Sequence, residues 1–358
     1  MKISVVLPLF PLSAVGGVKV VFEYMNYLVA KGSEVTIYFC KDYCVPIRRI
    51  PAFAEKVWRH YIQEKSKIKW FDLDRRIKRK SVERITNESI DDSDVIIATG
   101  VNTAKPIAAL SSSKGKKFYF IQDFENWGIS DEVVYETYRL PFIKIVVSNW
   151  LKGIVDAHSD VPSILLSNSI DLRVFHVTTP NSQRAPHTLC FHYRNAEMKG
   201  CKYAIEAVRR LEERYADLKV YVVSNGNPPE NLPKSCEFLQ NLTSAKVAEV
   251  NNKAQVFLCT TIDEGFGLPG LEAMACGCAL VSTKYTGVLE YAVDGKNAAL
   301  TPVRDIEKIV QAVCKVFDDG DFRKKIVQQG VQDAKQRDLL CNCKKFEELL
   351  MAEVEHRI

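Results

Sequence analysis

No apolar run in this sequence is long enough to cross a bilayer as a helix, so a membrane-spanning helix is not expected. The first residues, MKISVVLPLF, lack the long apolar core and small-residue cleavage site of a secretion leader. They read as a first strand. There is no tandem repeat at solenoid period and no low-complexity tract, which excludes stacked-repeat architectures. Histidine is scarce, with six in the chain; His158, His176 and His187 form no cluster, and His192 reads as a lone strand histidine with a structural place. Cysteine is not scarce, but its spacing is wrong for zinc. Cys276/Cys278 and Cys341/Cys343 have one residue between them and no companion pair. Cys190, Cys259, Cys276, Cys278 and Cys314 sit inside apolar patterns, where a reduced thiol is a small hydrophobe. A reducing cytoplasm is the expectation, and no metal is called for.

What remains is an ordinary globular composition. Hydrophobic residues make up 47% and charged residues 26% of 358, a length comfortable for two domains. Short apolar runs alternate with amphipathic stretches. ISVVLPLF, EVTIYF, DVIIATG, KFYFIQD and IKIVVSN read as strands. In VKVVFEYMNYLVAKG, Val18, Val21, Phe22, Met25, Leu28 and Val29 share one helical face, and Gly32 is a C-terminal stop. After the polar stretch 177–187 the pattern resumes through TLCFHYR, LKVYVVS, QVFLCTT and ALVST. The fold class is α/β, with two Rossmann-like doubly wound parallel-sheet domains facing a cleft. The expected boundaries are 1–175, 176–340 and a C-terminal helix over 341–358 that packs back on the first domain.

Ligands of open parallel sheets bind beyond the carboxyl ends of strands, so loops after strands carry the chemistry. The segment DEGFGLPGLEAMACG at 263–277 is such a loop running into a helix. Pro269 suits a helix start, and free N–H groups there attract phosphate. Gly265 and Gly267 let backbone approach a ligand. A carboxylate matches a vicinal diol, and Glu264 and Glu272 stand eight positions apart, with Glu272 read into the helix's first turn. One acid for a sugar, one for a ribose and a diphosphate between them describe a nucleotide diphosphate sugar. A capping box would explain Glu272 alone.

The segment resembles the Glu, seven residues, Glu signature of retaining glycosyltransferases of family 4, which have the GT-B fold. The resemblance extends through GGVKVVFEYMNYLVAKGSEVTIY, similar to the family's glycine loop and first helix, and SNSIDLRVFH at 167–176, where Ser169 replaces a commoner glycine. YFIQDFENWG and YRLPFIKIVVSNWLK resemble a polysaccharide-assembly subset, some of them rhamnosyltransferases. It implies that Glu264 meets the donor sugar, that Glu272 meets the ribose, and that the Gly265–Phe266–Gly267 amides, with Leu268 beside them, bind sugar and phosphates. In HYRNAEMKG, Arg194 and Lys199 are two cations able to stabilise a leaving diphosphate, as the family's arginine and lysine do. Tyr193 departs from the family's usual glycine. Gly16 and Gly17 form a glycine turn feeding a helix, which can pass close to phosphate or sugar and is counted with the donor-binding residues; in the family this loop lies across the cleft from the donor, and a plain tight turn is the other reading. Asp123, or its neighbour Glu125, ends a strand where many members carry histidine, and could orient an acceptor hydroxyl. A strand-end turn aspartate is the alternative.

Other acidic pairs carry less. DSD at 92–94 reads as a turn before a strand, and DLD at 72–74 as part of a charged helix. Between Lys56 and Arg84 there are eleven Lys or Arg against four Asp or Glu, with Trp58, Tyr61, Trp70 and Phe71 interleaved. This reads as a helical surface that is either plainly solvated or a weak contact for anionic membrane; no nucleic-acid motif accompanies it. The expectation is a metal-independent, cofactor-free cytoplasmic glycosyltransferase acting on a saccharide or lipid-linked acceptor. A nucleotide-sugar epimerase and a non-catalytic partner subunit are the rivals.

Overall fold

The computed structural model describes residues 1–8, 10–12, 15–40, 68–126 and 128–355. The chain forms two compact units. The first takes Met1–Ser167 with Asn342–Ile358, and the second takes Asn168–Cys341.

The first unit is built on seven parallel strands: β1 (Lys2–Leu7), β2 (Glu34–Cys40), β3 (Lys78–Val82), β4 (Val95–Ala98), β5 (Lys116–Ile121), β6 (Ile143–Val146) and β7 (Ile164–Leu165). Their order is β3-β2-β1-β4-β5-β6-β7. Val5 and Val6 of β1 are fully buried on opposite faces. Burying each valine contributes roughly 1.5 kcal/mol or more. This is why the central strands read as unbroken apolar runs rather than alternations. The helix Gly16–Ala30 buries Val20, Val21, Phe22, Tyr24, Met25, Leu28 and Val29; of the expected face Val18 is only half-buried, and Val20 and Tyr24 join it. Gly32, at φ +95, follows its last turn. The helix Leu339–Glu355 starts in the second unit and ends in the first. There Phe346 packs between Tyr24 and Phe120, and Tyr27 donates to Glu347 at 3.0 Å.

The basic stretch departs from the expected helix. Residues 56–67 lie outside the described residues. Beyond them, Asp72 and Asp74 lie in irregular structure and not in a helix, and Asp74 receives two hydrogen bonds from the Arg76 side chain. Lys78, Arg79 and Lys80 form the edge strand β3, in register with Thr36, Ile37 and Tyr38 of β2. An edge strand of a parallel sheet needs few apolar anchors, and here Ile77 and Val82 supply them. Lys78 and Lys80 pair with Glu34 and Asp91.

The second unit repeats the plan with β8 (Thr188–His192), β9 (Lys219–Ser224), β10 (Cys236–Gln240), β11 (Val256–Cys259), β12 (Ala279–Thr283) and β13 (Ala298–Thr301). Their order is β10-β9-β8-β11-β12-β13, all parallel. Alternate residues feed two cores. Leu189, Phe191, Val220 and Val222 meet the helices Cys201–Arg214 and Ile306–Asp318, while Cys190, Tyr221, Val223 and Phe257 share the other core with the helix Leu268–Ala275. In each sheet the strand order reverses once, between β1 and β4 and between β8 and β11. Ligand crevices of doubly wound sheets form at such points. Among the described residues no helix is long and apolar enough to cross a membrane, and ten cysteines carry free thiols.

Candidate functional site

In the second unit, the loops after β8 and β11 leave neighbouring strands at the reversal point. They are zipped to each other by hydrogen bonds. Ile262 N–H donates to the Met198 carbonyl at 2.8 Å, and Thr260 Oγ1 donates to the Gly200 carbonyl at 3.0 Å. Gly200 permits this approach: its φ is +61, and a Cβ there would stand 2.0 Å from the Thr260 carbonyl oxygen. The consequence is that Lys199, on one loop, meets Glu264, on the other, with Nζ 2.9 Å from Oε1.

These two side chains, with His192, Arg194, Thr260, Thr261, Gly267 and Tyr285, line a pocket whose remaining wall includes Phe257 and Cys259. Gly267 is the N-cap of the helix Leu268–Ala275, with φ +90 and no side-chain cap. A Cβ at Gly267 would stand 1.8 Å from the Tyr285 hydroxyl, so no side chain fits between helix start and pocket. Uncapped N–H groups at a helix start and two cations on the facing loop suit an anionic ligand.

Of the site residues expected from sequence, Glu264, Arg194, Lys199 and Gly267 come together in this one pocket. Gly265, Phe266 and Leu268 lie on the same loop without lining it. Phe266 is 3% exposed, its ring 5.4 Å from that of Tyr291. Glu272 needs a correction. It lies in the second turn of the helix, whose first turn holds no acidic residue, so neither the first-turn placement nor the capping-box alternative holds. It is 6% exposed. His192, expected to be merely structural, lines the pocket. Tyr285 is not among the expected residues, although it follows the end of β12 as Arg194 follows the end of β8, and the same position after a strand end would have found it.

Gly16, Gly17 and Asp123 belong to the first unit, at the carboxyl end of its sheet. Gly16 opens the first helix, and the Gly17 carbonyl accepts from Gln122 Nε2 at 2.9 Å. Asp123 turns its carboxylate onto the next backbone N–H, that of Phe124, at 2.9 Å. Glu125 reaches further: its Oε2 accepts from Val101 N–H at 2.8 Å, at the start of the helix Val101–Ala108 that follows β4. A Cβ on Gly100 would lie 3.2 Å from that oxygen and 3.4 Å from Pro8, which follows β1. Glu125 therefore sits at the reversal point of the first sheet. Burial pushes its carboxyl up to about 7, with the Asp123 charge adding and the Val101 N–H offsetting part.

The acidic pairs near the amino end of β4 are engaged structurally. Asp92 pairs with Lys114 at 2.8 Å, and Asp94 accepts from Lys2 N–H at 2.7 Å. Among the described residues no three His, Cys, Asp or Glu side chains group as metal ligands.

Residues 179–333 match the family model of Glycosyl transferases group 1. The second unit is a group 1 glycosyltransferase domain. The match covers this glycosyltransferase domain from the polar stretch before β8 into the helix Gly320–Lys335. Among curated relatives, the poly(glycerol-phosphate) alpha-glucosyltransferase of Bacillus subtilis is 28% identical over 152 residues, 40% of this chain and 22% of that protein. The D-inositol 3-phosphate glycosyltransferase of Corynebacterium urealyticum is 26% identical over 178 residues, 44% of this chain and 42% of that one. The chain thus spans less than half the length of these two relatives. Solved structures resemble it over its whole length. Sucrose-phosphate synthase from Thermosynechococcus elongatus has a TM-score of 0.74 at 13% identity, covering 99% of both chains. Alr3699/HepE from Anabaena, solved with UDP and glucose, has a TM-score of 0.74 at 15% identity, covering 98% of this chain and all of that one. At these identities the likeness establishes the fold: two Rossmann-like units, as in GT-B glycosyltransferases, one of them the glycosyltransferase domain.

Proposed function

We propose that this protein is a glycosyltransferase that moves a sugar from a nucleotide diphosphate sugar to a saccharide or lipid-linked saccharide acceptor with retention of configuration. The observation that carries the reading is the convergence of Glu264, Lys199, Arg194 and Gly267 on one pocket at the reversal point of the second sheet. Arg194 and Lys199 stabilise the charge that grows on the diphosphate as the glycosidic bond breaks. Glu264 faces the sugar, and Glu272 holds the ribose. The Gly265 and Phe266 amides and Leu268 complete the donor contacts. The leaving phosphate takes the acceptor's proton, so no separate strong base is required on the donor side. The relatives' names, an alpha-glucosyltransferase and an inositol phosphate glycosyltransferase, support this class of reaction, as do the UDP and glucose held by HepE.

Gly16 and Gly17 contribute to donor binding, and the Asp123–Glu125 turn serves the acceptor side. Of the two acids, Glu125 is favoured because its carboxylate lies at the reversal point while that of Asp123 caps its own turn. The reaction runs in the cytoplasm without a metal or cofactor, and residues 56–84 give a weak contact with anionic membrane. A panel of UDP-, GDP- and dTDP-sugars, scored for donor hydrolysis and thermal stabilisation in the presence of EDTA, tests the reading. One donor turned over by the wild type and not by Glu264→Gln is the expected result. No turnover and no stabilisation with any of them, or strict dependence on added manganese or magnesium, refutes it.

A further inference from the structure

The turn that carries Glu264 has no regular structure of its own between β11 and the helix at Leu268. It is braced on a third loop, the short 3-10 segment Thr286–Glu290 and the tyrosines that flank it. Gly287 N–H donates to the Glu264 carbonyl at 3.1 Å. Tyr291 Oη donates to the Gly267 carbonyl at 2.7 Å, sharing that acceptor with Gly270 N–H at 3.1 Å. The brace therefore holds both ends of the stretch Glu264–Gly267. Its rings are anchored too: Phe266 packs on Tyr291, and the Arg337 guanidinium lies 5.7 Å from the Phe266 ring centroid.

The two tyrosine hydroxyls lie 3.5 Å apart. A phenol has one proton. Tyr291 gives its proton to Gly267, so at this contact Tyr285 is the donor. The chain runs Tyr285 to Tyr291 to the Gly267 carbonyl. Tyr285 is 2% and Tyr291 6% exposed. Burial holds both hydroxyls well above the ordinary tyrosine range, so they stay protonated as donors. Tyr285 also borders the pocket itself.

We infer that Tyr285 and Tyr291 are positioning residues for Glu264, their two-hydroxyl chain fixing the turn in the backbone conformation that brings Glu264 to Lys199. The inference rests on the proposed role of Glu264 for its kinetic consequence, but not for its structural one.

Tyr291→Phe removes the hydroxyl and keeps the ring. Assayed well below its melting temperature with the donor found in the panel, it should lose about tenfold in kcat, while its affinity for the free nucleotide diphosphate stays within about twofold. Tyr285→Phe should lose about threefold. The double variant should match Tyr291→Phe, because Tyr285 acts through Tyr291. Unchanged kcat in Tyr291→Phe, or losses that multiply in the double variant, overturns the inference.

A second measurement needs no turnover. The non-additivity of Lys199→Met and Glu264→Gln on thermal stability is measured in the wild-type and Tyr291→Phe backgrounds. It should drop to half or less when Tyr291 loses its hydroxyl. Equal non-additivity in both backgrounds, or none in the wild type, overturns the inference whatever the protein does with sugars. Halved non-additivity in a protein inert to every nucleotide sugar would leave the brace standing and remove the proposed function instead.

Discussion

Glu264→Gln keeps the shape of a side chain and removes its charge, and the effect on nucleotide binding follows from one distance. Lys199 Nζ lies 2.9 Å from Glu264 Oε1. Two unit charges at that separation attract by about 6 kcal/mol at an effective dielectric constant of about 20, and by about 1.4 kcal/mol in water. The side chains are 30% and 28% exposed, which moves the pair toward the screened limit. Ordering two side chains takes back more, so the net attraction is about 1 kcal/mol. A diphosphate competes with Glu264 for Lys199. Without the carboxylate the lysine is free and the local repulsion is gone. The free nucleotide diphosphate should therefore bind Glu264→Gln about fivefold more tightly than wild type, the equivalent of about 1 kcal/mol. Calorimetric titration at about 0.1 M and about 1 M salt is the assay, and the gain should shrink as the Debye length falls from about 10 Å to about 3 Å. The same variant should lose turnover of the nucleotide sugar. Equal or weaker binding of the free nucleotide would refute the electrostatic reasoning, because the ion pair would then not oppose the ligand.

Three further outcomes are expected. Gly267→Ala puts a Cβ at φ +90 and against the Tyr285 hydroxyl, so it should destabilise by at least about 2 kcal/mol, read as a lowered melting temperature; an unshifted melt would contradict the packing described. The Glu125 carboxyl, raised to about 7, binds a proton in the native state between its ordinary range and about pH 7 that the unfolded chain does not bind, so its contribution to stability is present at low pH and is lost as pH rises through about 7; Glu125→Gln should accordingly stabilise relative to wild type by up to about 3 kcal/mol near pH 8 and much less near pH 5, and the reverse order in paired melts would disprove it. Wild-type protein should sediment with anionic but not neutral vesicles at low salt and be released by high salt, and indifference to anionic vesicles would leave 56–84 a solvated surface.

The second unit's candidate site was legible because its parts are local. A strand, a glycine turn and a helix start follow one another in QVFLCTTIDEGFGLPGLEAMA, and the same order in TLCFHYRNAEMKG marks Lys199 and Arg194. The strand order was not legible, since parallel pairing joins segments far apart, such as β1 with β4. β3 was missed for a related reason: Lys78, Arg79 and Lys80 have no apolar alternation, and their strand is imposed by the partner β2. The depth of Glu272 was misjudged because the helix begins at Leu268 and leaves it in the second turn. Tyr285 and Tyr291 lie about twenty residues beyond the turn they hold, and nothing in their own neighbourhood announces that use. Glu125 and Asp123 looked equivalent until the Val101 N–H separated them.

The helix Leu339–Glu355 gives the polypeptide an unusual timetable during synthesis. Phe346 and Leu350, 1% and 0% exposed, complete the apolar core of the first unit, yet they leave the ribosome only after the whole of Asn168–Cys341 has been made. At translation rates of roughly 5–20 residues per second, that delay is roughly 10–35 s. During it the nascent amino-terminal half has its strands but lacks the segment that covers Tyr24 and Phe120, whereas the second unit is contiguous in sequence. The unit begun first is thus the last to receive all of its residues, and the waiting surface is where a nascent-chain chaperone would act.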